Sequence, residues 1–198
     1  MAKKASDLIM RDRLQFTIGA TGDLDVVYGR IDLSDYVNTV NKKGLAVKEV
    51  RFQMRNPQLA NTGSFDLQLC APGGATTDPA SGFLKIFATT TAYENAQDVG
   101  IGSPNVFAIR EYQHHINLIQ EAGQNVGGNF TFATEDFGTP DLHPDGYTVI
   151  TDILIGVAAE NCTTYNNDTL ELDIMLIAEP ITVSQKELNE MLVQAQDL

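Results

Sequence analysis

Leu45-Ala46-Val47-Lys48-Glu49-Val50-Arg51-Phe52-Gln53-Met54 decides the fold, because its apolar residues recur with a period of two in two successive phases. Leu45 and Val47 share one phase, and Val50, Phe52 and Met54 share the other. Side chains of a strand alternate between its faces, so this period marks one face in a core and the other toward polar surroundings. A phase slip inside one strand marks a bulge or a bend. The same period recurs in Leu14-Gln15-Phe16-Thr17-Ile18, in Phe65-Asp66-Leu67-Gln68-Leu69 and in Leu170-Glu171-Leu172-Asp173-Ile174-Met175-Leu176. Working outward, the pattern predicts strands near 13–19, 25–33, 45–55, 64–71, 83–89, 105–119, 129–134, 147–158 and 168–178. Gly29 suggests a further bend, and residues 91–97 suit one or two helical turns in a crossover loop. The connections are rich in Gly, Pro, Asn, Asp and Thr, which supply turn geometry rather than helix. The expected fold class is all-β, a single jelly-roll-like two-sheet sandwich.

One helix is expected, at the C-terminus. Ser184-Gln185-Lys186-Glu187 is a capping box, in which the Ser184 hydroxyl and the Glu187 carboxylate each take a backbone N–H of the other residue. Pro180 separates this helix from the last strand. Leu188, Met191, Leu192, Ala195 and Leu198 then fall on one face. An isolated helix of about 14 residues is marginal in water, so something must cover that stripe. The cover is either the protein's own sandwich or a neighbouring subunit, and on the second reading Leu188, Met191, Leu192 and Ala195 are interface residues. The organisation is therefore an N-terminal arm at 1–12, the sandwich at 13–183 and the helix at 184–198.

A chain of 198 residues that is 43% apolar has enough core to fold without disulfides or metal. The net charge of −13 argues against a general nucleic-acid-binding surface. Lys3, Lys4, Arg11 and Arg13 nevertheless give residues 1–13 a local positive excess. That segment is either a solvated terminus or an arm facing an acidic partner, packaged nucleic acid among them. The charged opening of the chain is not followed by an apolar signal region, so secretion is not expected. No apolar run approaches the ~20 residues of a membrane span. Cys70 and Cys162 make no disulfide framework, and Cys70 reads as a small buried residue.

Catalytic constellations are poorly represented. His114 and His115 are adjacent on a strand, so they point to opposite faces and cannot ligate one metal together. The Gly-rich stretches lack the lysine of a phosphate loop. One metal hypothesis arises at Glu135–Asp145, where Asp141 and Asp145 could offer oxygen ligands to a structural Ca²⁺-like ion. No cofactor is expected.

Three stretches carry a family resemblance: Arg30-Ile31-Asp32-Leu33-Ser34-Asp35-Tyr36-Val37, the run from Lys42 to Phe52, and the tail from Leu170 to Leu198. In layout, nearly the whole chain resembles small jelly-roll capsid proteins of uncultivated marine viruses. The resemblance implies a structural protein that tiles a shell, with a basic-tipped arm inside and long loops at subunit contacts. The expectation is a non-enzymatic viral capsid subunit that self-assembles in many copies, alone or with other capsid proteins, in weak contact with packaged nucleic acid. It would be made in the host cytoplasm and located in the virion. The alternative is a sugar-binding or adhesin-like sandwich of a tail or surface assembly, although the absence of Trp removes the usual sugar-stacking residue. A cupin-type enzyme would need histidines clustered on one face, which three histidines so placed do not provide.

Overall fold

In the computed structural model, which describes residues 7–71, 80–121, 124–138 and 145–194, the two-phase stretch is strand β3 (Lys43–Arg55). Its ladder with β9 (Thr169–Thr182) slips between Val47 and Glu49. Lys48 is the extra residue of a bulge. It lets Leu45 and Val47, and after the bulge Val50, Phe52 and Met54, all reach the core. The remaining strands are β1 (Leu8–Thr17), β2 (Leu24–Ile31), β4 (Ala80–Thr89), β5 (Val106–Glu121), β6 (Gln124–Phe137), β7 (Tyr147–Val149) and β8 (Ile153–Glu160).

The strands pair into two antiparallel sheets, ordered β1-β9-β3-β7 and β2-β8-β4-β5-β6. The chain passes back and forth between them, and its last strand lies beside its first. Setting β6 aside, two four-stranded sheets wrapped in this order are the double Greek key of a jelly roll. β6 is an addition, a fifth strand hairpinned onto β5. Between the sheets, Phe16, Phe52, Leu172 and Ile174 share one apolar cluster with Ile86, Tyr112, Ile155 and Val157. A smaller cluster of Phe87, Val99 and Ile109 lies on the outer side of the second sheet, with Tyr28 and Tyr93 packed against it.

Several expected elements differ from those observed. The alternating run at 64–71 is not a strand: its one ladder contact among the described residues is a bridge between Arg55 and Ser64. The Tyr165 hydroxyl replaces a partner strand there. It accepts the Asp66 backbone N–H at 3.1 Å and donates to the Asp66 carbonyl at 2.6 Å. The expected strand at 147–158 is two strands in different sheets, because Asp152 anchors the crossing. Its carboxylate accepts from the Arg30 guanidinium at 2.7 Å and from the Leu33 N–H at 2.8 Å. β9 runs through Pro180 to Thr182 rather than stopping at 178, and Pro180 lies opposite Leu45 of β3, two residues beyond Ala178, which is opposite Leu8 of β1. β1 opens at Leu8 rather than 13, so residues 8–12 of the expected arm belong to the sandwich, held by the ladder to β9. The bend expected at Gly29 lies earlier, between Leu24 and Val27. The expected turns at 91–97 reduce to a 3-10 turn at Ala96–Asp98.

Gly156 in β8 sits between Tyr28 of β2 and Phe87 of β4, whose rings meet edge to face at 5.8 Å. A Cβ at Gly156 would overlap the Phe87 ring. Replacing Gly156 by Val should therefore force out the centre of the outer cluster and cost about 1–3 kcal/mol. A chain of this size loses roughly 2–4 °C of Tm per kcal/mol. An unchanged calorimetric Tm would show that Phe87 repacks without penalty.

Candidate functional site

The interior is filled by side chains, so the outer faces, edges and termini carry the candidate functional groups. On the outer face of the first sheet, Arg13 of β1 pairs with Asp173 at 2.6 Å and Glu171 at 3.5 Å on β9. Arg55 of β3 approaches the same two carboxylates from the other side, at 3.2 Å to Glu171 and 3.7 Å to Asp173. The positive charge of Arg13 is thus matched by its own sheet. Arg11 is exposed on β1 opposite Met175. Lys3 and Lys4 lie outside the described residues.

Helix α1 (Gln185–Gln194) begins as its capping box predicts. The Ser184 N–H donates to Glu187 Oε2 at 2.9 Å, and the Glu187 N–H donates to Ser184 Oγ at 3.3 Å. The Ser184 hydrogen bonds hold the Glu187 carboxyl below its usual range. Leu188 is 5% exposed and packs with Ile150 and Val183, with Met191 partly buried beside them. The protein's own sandwich covers Leu188, because the crossing between β7 and β8 presents Ile150 to the helix, so it has no surface left for a neighbour. The Leu192 side chain and Ala195 lie outside the described residues.

A cleft of about 950 Å³ opens on the outer face of the second sheet. Asp23, Asp25, Glu94, Glu111 and Glu160 line it, with Lys85 as the one cation among the described lining residues. Lys85 pairs with Glu111 at 3.1 Å and donates to the Val99 carbonyl at 3.0 Å, which ties the 90–105 connection to the sheet. Asp145 is exposed in the turn before β7, and Asp141 lies outside the described residues. Among the described residues no three His, Cys, Asp or Glu side chains converge as metal ligands.

The adjacent histidines of β5 point to opposite faces. His115 bonds Ser81 Oγ at 2.8 Å on the outer side. His114 is fully buried, and its Nδ1 accepts the Cys70 N–H at 3.2 Å with the Cys70 sulfur 3.3 Å away. That contact places the proton of the neutral ring on Nε2, which has no hydrogen-bond partner among the described residues. The ring stacks on Phe132 of β6 at 4.6 Å, nearly parallel. Phe132 and Phe130 are 47% and 51% exposed, leaving an aromatic patch on the outermost strand of the second sheet. Sequence reading placed both phenylalanines on a strand, but their position on a sheet edge depends on how the strands pair.

No protein-family model matches the chain, and neither does any curated protein. Among solved structures it is similar to the 60-mer BFDV capsid protein, at 13% identity over 92% of this chain and 98% of that one, with a TM-score of 0.30. It is similar to a chain of Turnip Yellow Mosaic Virus, at 9% identity over 91% and 99%, with a TM-score of 0.26. The decameric BFDV capsid protein gives 14% identity over 89% and 98%, with a TM-score of 0.27. The jelly-roll assignment stands on the strand order and registers themselves.

Two predictions follow from these contacts. Ser184→Ala should lose the cap and cost about 1 kcal/mol, and Leu188→Ala about 2–3 kcal/mol. Both should lower the melting temperature without altering oligomeric state by light scattering; a Leu188 variant that melts normally would show the docking to be unimportant. The second concerns acid. Burial depresses the His114 pKa, His115 adds to the depression, and Asp66 opposes it. The unfolded chain therefore binds a proton below pH ~6.5 that the folded one resists. The neutral ring's contribution is complete above that value and is lost as pH falls below it. The stability slope between pH 7 and 5 should flatten in His114→Phe and persist in His115→Asn; equal slopes in all three proteins would exclude His114 as its source.

Proposed function

We propose that this chain is a structural subunit that self-assembles into a viral capsid shell. The observation that carries the reading is the strand order, a complete jelly roll whose interior is filled with apolar side chains. A filled interior leaves recognition to edges, loops and outer faces, which suits a tile better than a container. Jelly rolls also serve as lectin and cupin domains, so the fold alone does not decide. The cupin chemistry is disfavoured by the histidines, since His114 is held by Cys70 and His115 faces the other way. Residues 1–7, with Lys3 and Lys4, supply the segment that faces packaged nucleic acid, through charge neutralisation that is weak per copy and multiplied over many copies. The shell is built from this chain alone or with a second capsid protein, after synthesis in the host cytoplasm.

A second reading has one observation in its favour. The five carboxylates of the outer cleft are acceptors for sugar hydroxyls, as a glycan-binding sandwich of a tail or surface assembly requires. Binding of the purified protein to a glycan panel, lost on Glu111→Gln, would support it over the shell.

The shell reading is tested by light scattering and negative-stain microscopy from low to molar salt. Closed particles of many copies are expected, and salt should favour them by screening the net charge of −13. A strict monomer throughout would overturn the reading. Particles of a variant lacking residues 2–7 should carry less nuclease-protected nucleic acid. An unchanged load would remove the packaging role from that segment.

A further inference from the structure

Of the outer strands among the described residues, β6 is the least protected against pairing with another chain. β1 carries Arg11, Asp12 and Arg13. The Asp12 carboxylate also accepts the Arg13 backbone N–H at 2.8 Å, so that donor is not offered to a further strand. β2 carries Asp25 and Arg30 and is bulged between Leu24 and Val27. β7 has three residues. Charge, bulges and shortness are the usual devices that blunt a sheet edge. β6 has a bulge only near the hairpin tip, at Val126, and then pairs regularly with β5 from Gly127 to Phe137. Gly127-Gly128-Asn129-Phe130-Thr131-Phe132-Ala133-Thr134 holds no charge and no proline, in a chain that is 20% charged. Its two phenylalanines share one face and are half exposed.

We propose that β6 is where a second copy of this chain docks, its own β6 running antiparallel about a two-fold axis at Thr131. The two five-stranded sheets would become one of ten strands. Charge selects a second copy as the occupant. Copies carrying −13 each repel one another overall, and an edge stretch with no charged residue is where they can approach without like-charge contact. The side chains select the axis. Centred on Thr131, each Phe130 lies directly across from Phe132 of the other copy, and Glu135 lies across from Gly127. Centred on Phe130 or Phe132, one phenylalanine would meet itself and the other would face Gly128 or Thr134. Directly opposed aromatic pairs add to sheet stability, and an isologous strand pair satisfies the main-chain groups of both edges at once. The inference rests on the assembly reading and names one of its contacts, yet the two can fail separately.

The test uses single cysteines in the full chain, where Cys70 and Cys162 are buried. Directly opposed residues of antiparallel strands have Cα atoms about 4.5–5.5 Å apart, within disulfide reach. Thr131→Cys should give disulfide-linked dimers under mild oxidation. Ala133→Cys should not, because the two copies of that residue lie four positions apart, roughly 13 Å. The double variant Asn129→Cys with Ala133→Cys should link again. Phe130→Lys should keep its circular dichroism and weaken dimerisation at least tenfold. Particles that form without a Thr131 crosslink overturn the β6 contact and leave the shell reading standing. Crosslinked dimers that never close into shells keep the contact and remove the shell. Equal linking of Thr131→Cys and Ala133→Cys would mean random collision and overturn the contact. A monomer with neither crosslink nor particles overturns both.

Discussion

The structure depends on β9. This fourteen-residue strand lies between β1 and β3 and pairs with both, so the first sheet is not assembled until β9 arrives. Its inward residues Leu170, Leu172, Ile174, Leu176 and Ala178 are all buried, and its outward Glu171 and Asp173 draw in Arg13 and Arg55. Arg13 and Asp173 are 160 residues apart in sequence. Pairing over such separations must overcome loop-closure entropy before any contact rewards it, which makes folding slow and leaves strand edges exposed meanwhile. Glu171 is buried while Arg13 and Arg55 stay partly exposed, so the pairs mainly offset the cost of burying that carboxylate; burial of the alternate face dominates and the charges serve register.

The features legible in the sequence were those written in a single strand. The slip from Leu45 and Val47 to Val50, Phe52 and Met54 signalled a bulge or a bend within the strand, because each side chain must reach the core whatever the partner strand, and the ladder puts the bulge at Lys48. The Ser184 to Glu187 box was equally local. What the period could not show was which backbone partner a stretch takes. Phe65, Asp66, Leu67, Gln68 and Leu69 alternate because Phe65 stacks on Tyr165 at 5.3 Å and Leu69 is buried, yet a tyrosine hydroxyl stands in for the ladder. Tyr147 to Ala158 reads as one strand because both halves are apolar, and the switch of sheet depends on Asp152 meeting Arg30, more than a hundred residues earlier.

The candidate sites were legible to a smaller degree, for the same reason. That His114 and His115 diverge follows from the period of a strand. That His114 is fixed by Cys70 follows from the path of the 64–71 segment, which alternation misread. The acidic cleft gathers Asp23, Lys85, Glu94, Glu111 and Glu160 from five separate stretches, and no spacing in the sequence brings them together. Leu188 lay on the predicted apolar stripe, but only the crossing at Ile150 decides that its cover comes from within the same chain.

On the proposed edge pairing, association and repulsion would use different surfaces. The first sheet's outer face neutralises itself strand by strand, since Arg13 and Arg55 share Glu171 and Asp173, and Lys48 pairs with Glu179 at 2.6 Å. The second sheet's outer cleft has no such balance, with Lys85 set against five carboxylates. Copies joined edge to edge through the second sheet would set these acidic faces on one continuous sheet, where salt would screen their repulsion. Main-chain pairing and aromatic burial at an uncharged edge act over a few ångströms and are nearly indifferent to salt, whereas the acidic faces act over a Debye length. Ionic strength would therefore set how strongly copies associate, while the uncharged edge would set the geometry in which they meet.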